Sequence, residues 1–199
     1  MTKQCRKKTY KVLFLTGTRA DFGKLKPLMS ELDRSPLFEI DIFVTGMHML
    51  EKYGYTCSEI EKSEFKNIYK YINQNHYDGM DHVISKTING LADYIREKKP
   101  DSIVVHGDRV EALAGAIVGS LNNIIVWHVE GGEVSGTVDE LIRHSVTKLT
   151  HVHFVANKTA QKRLIQMGEK KDNVYIIGSP DVDIMNSDSL PCIKQVKKH

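Results

Sequence analysis

Short apolar runs rich in β-branched residues recur along this chain, each cut off by glycine or charge and separated from the next by a helical stretch. Lys11–Thr16, Phe38–Val44, Ser102–His106, Ile124–His128, Val152–Val155 and Val174–Ile177 read as strands. Their apolar character is continuous rather than alternating. A strand covered on both faces has that pattern, and it is the mark of a parallel sheet. Between them the apolar residues fall at helical spacing. Leu25, Leu28, Met29 and Leu32 mark a helix ending near Arg34, and Met80, Val83, Ile84, Ile88, Leu91 and Ile95 mark one between Tyr77 and Lys98. A helix after Asp108 carries Ala112, Ala114, Gly115, Ala116 and Gly119, small residues that let it lie close to a sheet. Val138–Leu149 and Thr159–Met167 complete the set, with Pro100 ending one helix, Asn157 capping another and Gly168 stopping it. The alternation predicts an α/β fold: a Rossmann-like parallel sheet with helices on both faces and right-handed crossovers.

Two stretches carry less pattern. Residues 49 to 75 predict a short helix near Ser58–Lys62, a short strand near Ile68–Ile72 and a mobile loop ending in Asn73-Gln-Asn75. After Ser187 the pattern fades. This divides the chain into a domain over 1–187 and, over 188–199, a linker with the start of a further domain.

Composition narrows the class. At 199 residues with 41% hydrophobic and 27% charged residues, the chain can bury a core of ordinary globular kind. A net charge of +3 is too mild to indicate nucleic acid as a partner. Cys5, Cys57 and Cys192 are far apart and suggest neither a zinc site nor a disulfide framework, which fits a reducing cytoplasm. No apolar run has the length of a signal peptide core or a membrane span.

The charged residues begin where the apolar runs stop. In an open α/β sheet, ligands bind at the carboxyl ends of the strands. Asp108 and Glu130 are therefore expected to enter one crevice from neighbouring strands. Asp139 and Arg143, at i and i+4 on the following helix, are expected beside them. Gly131-Gly132 lets the backbone approach a ligand there. The first strand-to-helix turn, Gly17-Thr-Arg-Ala-Asp-Phe-Gly-Lys24, places Arg19 and Lys24 at a helix N-terminus able to receive phosphate. It lacks both GxGxxG and GxxxxGK[ST], so neither a dinucleotide nor a P-loop site is indicated. Simpler readings stand beside these. The first turn reads equally as a plain βα loop, Asp108 as an N-cap, Glu130 as a loop charge and Asp139–Arg143 as a surface helix pair. His48 is a polar loop residue or a ligand contact, and His128, Glu133 and His153 read as structural.

Taken in order, Gly17–Leu25, His106-Gly-Asp-Arg109, His128-Val-Glu-Gly-Gly-Glu-Val-Ser-Gly-Thr137 with Asp139 and Ile142-Arg-His144, and Gly178-Ser-Pro180 resemble the hydrolysing UDP-N-acetylglucosamine 2-epimerases of sialic acid synthesis. The resemblance runs from about residue 11 to 187. It implies the N-terminal half of a two-domain GT-B-type fold, with the active site between the domains and further nucleotide contacts from a second domain. A chain with the first domain alone is then expected to turn over little or nothing. The implied reaction removes the C2 proton of the sugar as UDP leaves, passes through 2-acetamidoglucal, and adds water to give N-acetylmannosamine. Asp108, Glu130 and Asp139 are the catalytic candidates. Arg19, Lys24 and Arg143, then Asp21, Arg109 and His144, are the substrate-binding candidates. No metal or other cofactor is implied. A UDP-N-acetylhexosamine is the expected partner, with no nucleic acid or membrane, and the resemblance points to a cytoplasmic homo-oligomer. Relatives acting on UDP-diacetamido-trideoxyhexose or GDP-N-acetylglucosamine share the motifs. A GT-B glycosyltransferase and a non-catalytic nucleotide-sugar-binding domain are the remaining alternatives.

Overall fold

The computed structural model describes residues 9–185; the expected linker and helix start at 188–199, with Cys5 and Cys192, lie outside them. Seven strands form one parallel sheet: β1 (Tyr10–Thr16), β2 (Phe38–Val44), β3 (Asn67–Lys70), β4 (Ser102–His106), β5 (Ile125–Val129), β6 (Val152–Val155) and β7 (Val174–Ile176). Their spatial order is β3-β2-β1-β4-β5-β6-β7. The order reverses between β1 and β4, so the chain leaves these neighbours in opposite directions and a crevice opens at their carboxyl ends.

Among the described residues the α-helices are α1 (Arg19–Asp33), α2 (Cys57–Glu61), α3 (Met80–Lys98), α4 (Val110–Leu121), α5 (Val138–Lys148), α6 (Lys158–Gln166) and α7 (Pro180–Met185). Alternate residues of β1 feed two separate cores. Leu13 and Leu15 pack with residues of α3, α4 and α5, while Val12 and Phe14 pack with Phe22, Leu25 and Met29 of α1. This two-sided burial is the reason for the unbroken apolar runs.

The small residues of α4 fix its distance from the sheet. A Cβ on Gly115 would sit 2.7 Å from both Leu15 and Val105, and one on Gly119 would sit 2.4 Å from Val126. Helix α4 therefore rides on β1, β4 and β5 at a spacing no side chain there would permit, which holds the β4–α4 turn, residues 107–109, against the crevice.

The weakly patterned region holds a surprise. The stretch expected as a mobile loop contains Asn73, which is fully buried. Asn73 Oδ1 accepts from the Gly46 N–H at 2.9 Å, and its Nδ2 donates to Thr87 Oγ1 at 2.8 Å. The side chain pins the loop after β3 to the end of β2 and to α3. Helix α3 begins at Met80 rather than Tyr77, and it closes at Lys99 in a left-handed conformation.

Candidate active site

At the carboxyl end of β5, Glu130 occupies the left-handed region at φ +61°. A non-glycine residue sits there at a cost of about 1 kcal/mol. Its carboxylate is met from several sides. Lys24 Nζ of α1 donates to Oε2 at 2.8 Å, His106 Nε2 lies 2.9 Å from the same oxygen, and Ser179 Oγ donates to Oε1 at 3.2 Å. Lys24 also pairs with Asp181 of α7 at 3.3 Å. Burial alone would raise the Glu130 pKa, but His106 and Lys24 outweigh it and hold the carboxyl at about 2. Lys24 is shifted upward: burial opposes its charge, and Glu130 and Asp181 overcome that.

His106, the last residue of β4, presents Nδ1 to Asp21 Oδ1 at 3.5 Å, an ion-pair distance without hydrogen-bond geometry. Asp21 serves α1 with its other oxygen. Oδ2 accepts from the N–H groups of Gly17 and Thr18 at 3.1 and 3.0 Å, and Thr18 Oγ1 accepts from the Asp21 N–H in return. This is a capping box. It takes up the Gly17 and Thr18 donors of the turn that the sequence offered to a phosphate. Burial raises the Asp21 pKa, but His106 and the Gly17 and Thr18 donors together bring it below the ordinary value.

A second cluster is built on Arg143. Asp108 does not cap α4; the N-cap is Arg109. Asp108 Oδ2 instead accepts from Arg143 Nη2 of α5. Arg143 Nη1 donates to the Glu133 carbonyl at 3.0 Å. Asp139 therefore forms no helix pair with Arg143. It is exposed and accepts from Thr137 Oγ1 at 3.1 Å. Arg109 grips the buried Glu111 through Nε at 3.0 Å and Nη2 at 3.2 Å. Glu111 in turn fills the space beside Gly17 and Gly46. A Cβ on Gly46 would lie 2.6 Å from Glu111 Oε1, and Gly46 has φ +64°, so glycine is required there for space and conformation alike.

The other candidates lie elsewhere. The Arg19 guanidinium is exposed and pairs with Glu59 at 3.2 Å. His144 lies 3.8 Å from Glu140 on the same helix. Gly131 and Gly132 are buried for packing: added Cβ atoms would meet His128 at 2.9 Å and Leu164 at 2.4 Å. His48 is buried between Thr16 Oγ1 at 3.0 Å and Thr56 Oγ1 at 2.7 Å, and burial pushes it down to about 4. It braces the β2 end rather than facing a ligand. His128 is also buried, its Nε2 2.8 Å from the Gly107 carbonyl, and burial takes it to about 3. Sequence reasoning passed over His106 as a site residue, although a histidine closing a fully apolar strand one step before Gly-Asp-Arg was its visible signal. A cleft of about 240 Å³ beside Arg109 is lined by Met47, Leu50, Tyr53, His76 and Met80 among others. Among the described residues no set of three His, Cys, Asp or Glu is disposed to hold a metal ion. No helix among them is long and apolar enough to cross a membrane.

The sheet order and the charged crevice at β1, β4 and β5 define a Rossmann-like domain of the kind found as one half of GT-B-like chains. Residues 30–199 match the family profile described as UDP-N-acetylglucosamine 2-epimerase, and the chain belongs to that family. It is 49% identical to the UDP-N-acetylglucosamine 2-epimerase of Neisseria meningitidis serogroup B, over 95% of this chain and 50% of that one. It is 39% identical to the UDP-N,N'-diacetylbacillosamine 2-epimerase (hydrolyzing) of Legionella pneumophila, over 87% and 47%. The fold matches the crystal structure of a Neisseria meningitidis UDP-GlcNAc 2-epimerase bound to UDP-GlcNAc with a TM-score of 0.78 at 22% identity, covering 94% of this chain and 51% of that chain. The chain spans about half the length of the relatives it matches.

Proposed function

We propose that this chain forms the N-terminal domain, over residues 1–187, of a hydrolysing UDP-N-acetylglucosamine 2-epimerase that acts in the cytoplasm as a homo-oligomer and releases N-acetylmannosamine and UDP. The observation that carries the proposal is that Asp108 and Glu130 stand just past the carboxyl ends of the neighbouring strands β4 and β5, each with a cationic partner, in a member of this family. The 39% identity to a relative described as hydrolysing supports the hydrolytic outcome over simple epimerisation.

The C2 proton of the sugar is not acidic, so its removal needs a positioned base together with stabilisation of the departing diphosphate. Asp108 and Asp139 are the carboxylates we assign to proton exchange at C2, Asp108 just past the end of β4 and Asp139 exposed in the first turn of α5. Arg143 orients Asp108. Glu130, enclosed and held ionised, is the carboxylate we assign as a fixed negative charge in the reaction. Arg109 and the cleft beside it, built from loops between residues 47 and 80, are positioned to select the amino sugar. The related substrates UDP-diacetamido-trideoxyhexose and GDP-N-acetylglucosamine differ where such a cleft would read them.

The protein expressed from its complete coding frame, incubated with UDP-GlcNAc in deuterated water, is expected to give free UDP and N-acetylmannosamine carrying deuterium at C2 by proton NMR. Formation of UDP-N-acetylmannosamine without UDP release would replace the hydrolytic reading with plain epimerisation. Turnover only of another nucleotide amino sugar would reassign the substrate. Calorimetric binding with no turnover of any of them would make this a binding domain. The 199-residue chain alone is expected to show little turnover.

A further inference from the structure

The site encloses a titratable group for which the proposed reaction has no direct use. The His106 side chain is 9% exposed and lies between two carboxylates on different elements, Asp21 of α1 and Glu130 after β5. The contacts close a ring. Asp21 and Lys24 stand three residues apart on α1. Lys24 reaches Glu130 directly, and Asp21 reaches it through His106. Asp21 is itself fixed by its capping bonds, so the ring is anchored to a helix terminus at one end and a strand end at the other. Glu130 is the strained member, and residues in sparsely populated backbone regions persist where their surroundings over-determine them.

We propose that His106 is a positioning residue that, anchored on Asp21, clamps the Glu130 carboxylate and acts on the reaction only through it. This rests on the reading that Glu130 belongs to the reaction site. The groups facing the imidazole are Asp21 and Lys24 from α1 and Glu130 and His128 from β5 and its end; Ser179 and Asp181, from the start of α7, reach the ring through Glu130 and Lys24. His128 is held neutral by its burial. Among the described residues Lys24 is the cation bonded within the ring, while the charge of Arg109 also acts on Asp21. Burial alone would push His106 down, but the nearby charges of Asp21 and Glu130, with the bond to Glu130, prevail and raise it above its ordinary value. As a cation it compensates the second carboxylate of the ring, which Lys24, shared with Asp181, leaves uncompensated. Loss of that charge frees Glu130 to turn about its side chain without removing it.

Two measurements test this, and the first needs no turnover. Imidazole titrations by NMR on the 199-residue chain, with His106 assigned by its absence in H106Q, are expected to show it charged at neutral pH. D21N and E130Q should each lower its midpoint. A midpoint at or below the ordinary histidine value, or one unmoved by D21N, overturns the clamp. The second uses the protein from the complete coding frame. H106Q keeps an N–H donor for Glu130 but not the charge. It is expected to lose on the order of 100-fold in kcat, to leave KM within about threefold, and to lose the decline of kcat that the wild type shows as pH rises through the His106 titration. H106A should fall further still. Wild-type kcat and pH profile in H106Q overturn the positioning role. If the protein performs no epimerase chemistry, the titrations still decide whether the clamp exists, so the two failures are distinct.

Discussion

The ends of β2 and β4 each bury a histidine at the mouth of the same sheet, with opposite results. His48 at the β2 end is surrounded by hydroxyls, and burial leaves it neutral with a pKa of about 4. His106 at the β4 end is also largely enclosed but has two carboxylates for neighbours, and its pKa rises. Depth does not decide the charge state; the partners do. The β2 end is built as a brace and the β4 end as an electrostatic device, although the sequence gives a histidine to both.

The largest expected effect comes from breaking the β4 end outright. Glu130→Ala leaves Lys24 and His106 facing each other without their shared anion. Removing one member of a buried charged set costs about 3 kcal/mol, read as a lower urea midpoint for the 199-residue chain. Slightly smaller is His48→Ala, which removes a bond from each of the Thr16 and Thr56 hydroxyls and leaves a cavity behind; about 2 kcal/mol is expected by the same measurement.

The comparison sharpens when pH is varied. His48 is lowered in the folded protein, so the unfolded chain takes up the proton first. Its contribution is present above the ordinary value near 6.5 and is lost as pH falls from there toward 4. His106 is raised, so its contribution is full below about 6.5 and is lost as pH rises through its folded value. Glu130 adds a limb lost only as pH falls from 4.5 toward 2. Urea midpoints across pH should therefore show His48→Gln flattening the limb between about 6.5 and 4 by up to ~1.4 kcal/mol per unit, while His106→Gln flattens the neutral-to-alkaline side. If both variants flatten the same limb, the contrast between the two strand ends fails. Smallest of all, Arg19→Ala should leave the melting temperature unchanged, because its pair with Glu59 is exposed.

The sheet was legible from sequence because both of its faces are covered. β2, β4 and β6 fall on the predicted bounds, and β5 is displaced by one residue because Ile124 still closes the turn after α4, its N–H donating to the Gly119 carbonyl. Helix α7 went unread: six residues opened by a proline offer too few turns for an apolar period to register. Asn73 was read as loop because polarity in sequence does not reveal a buried partner such as Gly46 or Thr87. At the site, strand ends announced Asp108 and Glu130, and the structure shows the partners each one takes. Arg143 with Asp108, and His106 with Glu130, join residues 35 and 24 positions apart, and no local spacing encodes such pairs.

The donors to Glu130 are drawn from residues 24, 106 and 179. During synthesis, the carboxylate leaves the ribosome well after Lys24 and His106, but Ser179 follows it by 49 residues. At the usual pace of roughly 5–20 residues per second, the nascent chain spends some seconds with most of its sheet available and the ring still short of a member. A chain ended anywhere before α7 would carry every residue of the two strand ends and still lack the last bond that fastens them. Completion of this corner thus waits on the start of α7, after the strands that it fastens have all been made.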